Sequence, residues 1–152
     1  YLKYEYRLRW DDVLYEPGEL RAVAYKNGNI WAEEGVKTTG EASTLSSIAD
    51  RSIIDADGKD LSFITVQVCD SNGLMVPRSN NCIQFSIEGP GEIVATDNGD
   101  PTCMIAFPSK ERPAFNGMAL VIVRSIAGSK GTIKVTAKAE GLKETLLTLQ
   151  SK

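Results

Sequence analysis

Two sets of side chains in this 152-residue chain have the types and spacing to do chemistry. The first is Asp97, Asn98 and Asp100, followed in the same stretch by Arg112 and Asn116. Closely spaced oxygens suit a hard cation such as Ca²⁺, but they equally suit a self-bonded turn or a docking surface. The cluster lacks the length and ligand number of an EF-hand loop, so no metal and no cofactor is assigned. The stretch from Asp97 to Asn116 reads as one long irregular loop, and long loops often carry contacts. If this chain touches a substrate or other domains, Asp97, Asn98, Asp100, Arg112 and Asn116 are the residues expected to do so.

The second set is aromatic. Tyr4, Tyr6, Trp10, Tyr15 and Trp31 crowd the first third of the chain, and aromatic faces stack on pyranose rings. The competing reading is that Tyr4, Tyr6 and Trp10 fill a core, because they alternate strictly with charged residues.

Other chemistries are excluded by composition. The chain has no histidine, which removes Ser-His-Asp and Cys-His catalysis and the commonest zinc ligand. Cys69, Cys82 and Cys103 form no metal spacing. Three unpaired buried thiols is the simplest reading, and a Cys69–Cys82 disulfide is the alternative. A net charge of −3 supplies no footprint for nucleic acid or anionic membrane. No apolar run approaches the roughly 18 residues of a membrane span. The remaining acidic residues, Asp55, Asp57, Asp60 and Asp70, sit in turn sequences where they accept backbone hydrogen bonds.

The elements that position these residues read as strands throughout. Leu2, Tyr4, Tyr6, Leu8 and Trp10 alternate with Lys3, Glu5, Arg7 and Arg9, a period of two that predicts a strand over 1–10. So well patterned an opening strand implies a sheet whose other part is missing, and hence a piece of a larger protein. Glu16-Pro17-Gly18 is a turn. Strands are expected over Leu20–Tyr25 and Ile30–Lys37, joined by Asn27-Gly28, whose residues tolerate the positive φ of a type I′ turn. The small polar stretch Thr38–Ser43 is the expected boundary.

Further strands are expected over 47–54, 61–69, 82–88, 92–96, 118–125, 132–139 and 144–150. Seven strands in about 105 residues is the size of an immunoglobulin-like sandwich. The fold class is therefore all-β. Residues 45–152 should form one sandwich, and residues 1–40 about three strands of a truncated one. The expected core is Ile64, Val66, Val68, Ile83, Phe85, Ile87, Leu120, Ile122, Ile133, Val135 and Leu147.

Two groups of motifs resemble known families. Ala56-Asp57-Gly58-Lys59-Asp60-Leu61-Ser62, with Val66–Gly73 and Val76-Pro77, resembles bacterial Ig-like domains of the invasin type. Trp10–Val13, Tyr15–Leu20, Ala22–Tyr25 and Lys37–Gly40 look like the last strands of a domain of unknown function in glycoside hydrolase family 2 enzymes of the β-galactosidase type. There it follows the catalytic barrel and precedes an Ig-like C-terminal domain. Gly89-Pro90-Gly91, Asp97–Pro101 and Ala114–Gly117 resemble segments of that last domain.

The resemblance implies a parent that hydrolyses β-galactosides, located in the periplasm or outside the cell. A retaining glycosidase needs two carboxylates about 5 Å apart. In that family they stand on a (β/α)₈ barrel of at least ~200 residues, for which this chain has neither the length nor the helices. The resemblance thus implies a non-catalytic accessory part, with no catalytic residue of its own. Its partners would be the parent's other domains, with a homodimer through the N-terminal strands or a carbohydrate as alternatives. A carbohydrate-binding module and an adhesin-type spacer are the competing functions.

Overall fold

The computed structural model describes residues 7–152. The chain divides into two compact units, Tyr1–Thr38 and Thr39–Lys152.

In the first unit, β1 (Glu19–Lys26) and β2 (Asn29–Lys37) form an antiparallel hairpin. Asn27 and Gly28 take φ of 52° and 78°, the backbone of a type I′ turn whose twist matches the strands it joins. A bulge between Ala24 and Tyr25 leaves Trp31 as the extra residue. The Lys26 ammonium lies 5.3 Å from the Trp31 ring centroid. Thr38 closes the open end: its N–H donates to the Gly18 carbonyl at 2.8 Å, and its Oγ1 accepts from the Gly18 N–H at 3.0 Å. The Arg21 guanidinium pairs with the Glu33 carboxylate.

The expected opening strand is not formed over its described part. Residues 7–18 carry no strand, and Leu8 and Trp10 are exposed rather than buried. Alternation supplies a face, but a strand also needs a neighbour for its backbone hydrogen bonds. Tyr4 and Tyr6 lie outside the described residues.

In the second unit nine strands build two facing sheets. β3 (Thr44–Ala49), β5 (Leu61–Cys69), β9 (Met118–Ser125) and β7 (Gly91–Asp97) form one, in that order. β4 (Ile53–Ile54), β11 (Thr145–Ser151), β10 (Gly131–Lys138), β6 (Cys82–Glu88) and β8 (Glu111–Pro113) form the other. This is an all-β, Ig-like sandwich.

The single strand expected over 47–54 is two strands in opposite sheets. β3 pairs antiparallel with β5, and β4 pairs parallel with β11. The corner between them is held by side chains. Asp50 accepts from the N–H of Phe63 and of Arg51, each at 2.8 Å, and Ser62 donates to the Arg51 carbonyl.

The core gathers Ile64, Val66, Val68, Ile83, Phe85, Ile133, Val135 and Leu149, with Ile87 and Leu147 packed at its margin. The expected phase of β9 is off by one residue. Ala119, Val121 and Val123 are buried, whereas Leu120 and Ile122 face outward. The run from Met118 to Val123 is apolar at every position, so it carries no period of its own. Its partner sets the phase: Val121 lies opposite Ile64, and Ala119 opposite Val66, and those β5 residues alternate cleanly into the core.

Asp70, just after β5, is a buried carboxylate, and among the described residues it has no cationic partner. It accepts from the N–H of Gly40 at 2.8 Å and of Asn72 and Leu74 at 2.9 Å. The Gly40, Leu74 and Asn72 amides outweigh burial and hold its carboxyl below the usual aspartate value. The Asp60 and Lys59 amides do the same for Asp57. At Asp50 burial alone would raise the value, but the Phe63 and Arg51 amides bring it down.

A group whose pKa is depressed on folding stabilises the fold above its unfolded pKa, and the contribution disappears as pH falls through the folded value. The urea midpoint of the chain should therefore hold between about pH 7 and about pH 5 and fall below about pH 4. Asp70→Asn should lower the midpoint at neutral pH and flatten this acid dependence. Parallel curves for the two proteins would show that Asp70 does not contribute.

Candidate functional site

The segment from Asp97, the last residue of β7, to Asn116 carries every residue singled out for contacts, and the structure gives each a local partner. Asp97 accepts from the N–H of Asn98 at 2.7 Å and of Gly99 at 3.3 Å. Asn98 accepts from the Asp100 N–H at 3.0 Å and donates its amide to the Pro113 carbonyl at 3.0 Å. Asp100 accepts from the N–H and the hydroxyl of Thr102 at 2.8 and 2.7 Å. Three side chains thus cap successive turns of one Asx-type run. Among the described residues no group of three or more His, Cys, Asp or Glu is gathered to hold a metal.

Asn116 is a turn residue. With φ of 51°, followed by Gly117 at 79°, it forms a two-residue reversal in which Phe115 and Met118 exchange backbone hydrogen bonds. Gly117 has no room for a side chain, since a Cβ there would lie 2.4 Å from the Val76 carbonyl oxygen.

Arg112 is the centre of the segment. It sits on β8, a strand the sequence hides inside the expected loop, and is 1% exposed. Its guanidinium points into the sandwich rather than out to a partner. Nε donates to Thr96 Oγ1 at 3.2 Å, and Nη2 to the Thr96 carbonyl at 2.7 Å. Nη2 also donates to the Ala106 carbonyl at 2.9 Å, and Nη1 to the Ile105 carbonyl at 2.8 Å and Cys103 Sγ at 3.3 Å. All five donors of the fork are used.

Thr96 belongs to β7, the edge of the four-stranded sheet, and Arg112 to β8, the edge of the five-stranded one. The guanidinium therefore stitches the two sheets together along one open side and fixes residues 103–106 from beneath. Thr96 continues the stitch: its hydroxyl donates to the Ser109 carbonyl and its N–H to the Phe107 carbonyl, at 2.8 and 2.7 Å.

Among the described residues no carboxylate pairs with this guanidinium. Carbonyl dipoles balance its charge, together with the Cys103 sulfur. The Ile105 amide and the Arg112 guanidinium favour the Cys103 thiolate and hold that thiol below its ordinary value. Burial, with the neighbouring Asp70, pushes the Cys69 thiol up. All three cysteines are free. Cys82 is exposed, not buried as expected, because it starts β6 on the outward phase.

The inter-sheet role of Arg112 was not readable from the sequence. An arginine between Glu111 and Pro113 looks like surface, and its partners are mostly backbone carbonyls. The available signal was its position within a long loop that had to be held by something.

This arrangement is a scaffold that presents a loop. Comparison with known proteins agrees. Residues 45–148 match the model of the glycoside hydrolase family 2 C-terminal domain 5, and residues 2–32 that of a domain of unknown function, DUF4982. The β-galactosidase BoGH2A of Bacteroides ovatus is 38% identical over 91% of this chain and 16% of its own length. A β-glucuronidase of Formosa agariphila is 30% identical over 96% of this chain and 15% of its own. A glycosyl hydrolase family 2 member from Bacteroides cellulosilyticus superposes with a TM-score of 0.87 at 35% identity, over 92% of this chain and 18% of that one.

The chain thus spans about a sixth of the relatives it matches, and it is a non-catalytic accessory part. It belongs to glycoside hydrolase family 2, its larger unit being a C-terminal domain of that family.

Proposed function

We propose that the whole protein hydrolyses β-galactosides and that this part serves it as architecture, not as a sugar-binding module. The observation that carries the reading is the 38% identity to a β-galactosidase along nearly the whole chain. Architecture is favoured over sugar binding by the site itself. One carboxylate oxygen each of Asp97 and Asp100, and both ends of the Asn98 amide, are engaged within the segment itself, and Arg112 is buried. They offer few free groups to a sugar.

A β-glucuronidase is the second reading, favoured by the Formosa relative. Turnover of chromogenic β-galactoside and β-glucuronide by the whole protein separates the two, with the galactoside expected as the better substrate. Calorimetry of the 152-residue chain with galactosides and plant polysaccharides should show no heat of binding. Saturable binding would instead make it a carbohydrate-binding module.

The hairpin of the first unit leaves Leu20, Tyr25, Ile30, Trp31 and Val36 exposed. Other domains of the protein are the proposed cover, and pairing with a second copy is the alternative. Light scattering of the chain reports which holds.

A further inference from the structure

The loop held by Arg112 displays apolar side chains at its outer side. Met104 is 94% exposed, Phe107 62% and Ile105 42%, all within four consecutive residues of sequence Met-Ile-Ala-Phe. A loop with this composition would ordinarily turn inward. Here it cannot, because its backbone is committed. The Ile105 and Ala106 carbonyls are bound by Arg112, and the Phe107 carbonyl by the Thr96 N–H. The Ser109 N–H donates to the Ala106 carbonyl at 3.1 Å, and the Phe85 N–H to the Lys110 carbonyl at 2.8 Å. The ordering cost of a contact surface has already been met within the fold, which is what preorganisation means for binding.

We propose that Met104, Ile105 and Phe107 form a docking knob seated against another domain of the same polypeptide. The chain covers only 16% of one relative and 15% of another, so most of such a protein lies outside it. Size decides between this occupant and a second copy. Three side chains fall well short of the ~800 Å² per partner that a stable dimer buries. A covalently linked domain is held at an effective concentration in the millimolar range, so a small knob suffices. The proposal deepens the architectural reading by naming the surface through which it acts.

Peroxide oxidation of Met104, followed by mass spectrometry, tests it. In the 152-residue chain Met104 should oxidise faster than Met118, which is 38% exposed. In the whole protein Met104 should slow by about ten-fold, the protection that a ten-to-one docking equilibrium gives. Phe107→Ser should remove that protection in the whole protein yet leave the unfolding midpoint of the 152-residue chain unchanged. Equal Met104 rates in chain and whole protein overturn the docking. Protection that grows with the concentration of the 152-residue chain also overturns it, by assigning the surface to a second copy. Neither result touches the architectural reading, which falls if the chain binds or hydrolyses sugar.

Discussion

Replacing Arg112 by methionine should cost the second unit about 3–5 kcal/mol, because each buried carbonyl left without its donor costs about 1–3 kcal/mol. The loss has a definite origin. Thr96 is buried, and its carbonyl would keep no side-chain donor. The Ile105 carbonyl would be released at the same time, and the Ala106 carbonyl would keep only the Ser109 N–H. Arg112→Lys should restore little, since an ammonium cannot reproduce the planar fork that reaches β7 and the loop together. Urea unfolding of the chain measures both variants. A midpoint within about 0.5 kcal/mol of the unaltered protein, the range of an ordinary surface substitution, would show that the stitch between β7 and β8 is not needed.

The second large effect separates neighbouring residues on β9. Val121→Asp puts an unpaired carboxylate between Ile64 and the facing sheet, where a buried charge costs several kcal/mol. That is a large share of the ~5–15 kcal/mol stability of a typical domain, so the unit should be unfolded or nearly so. Ile122→Asp, one residue on, faces outward opposite Phe63 and Ala95 and should cost about 1–2 kcal/mol. Circular dichroism and urea titration of the two proteins test the phase of the strand. The reverse order of damage would mean that Leu120 and Ile122 fill the core after all.

These two sites also mark where the sequence is legible. The Asn27-Gly28 hairpin and the inward residues of β5 and β6 can be read directly. Turn chemistry and clean alternation are local properties that need no partner to interpret. β9 cannot be read this way, because all of its central positions are apolar and only pairing with β5 fixes which face is buried. The corner between β3 and β4 is hidden for a related reason. Ser47 to Ile54 looks continuous, and the switch of sheet depends on Asp50 reaching Phe63 across the chain.

The loop was legible as an Asx-rich turn from Asp97, Asn98 and Asp100. Its short strand, β8, and its guanidinium were not. β8 is three residues long with no apolar period, and a charged side chain whose partners are carbonyls leaves no trace in composition. In the first unit, the alternation at Leu8 and Trp10 predicted burial that the described residues do not show. Period two identifies a face, not what covers it.

The chain is a family 2 accessory part, and the catalytic groups proposed for the whole protein lie outside it. Turnover of a chromogenic β-galactoside by the purified 152-residue chain tests this most directly. No hydrolysis above a buffer blank is expected, alongside hydrolysis by the whole protein under the same conditions. Turnover by the chain that survives removal of host β-galactosidase would contradict it.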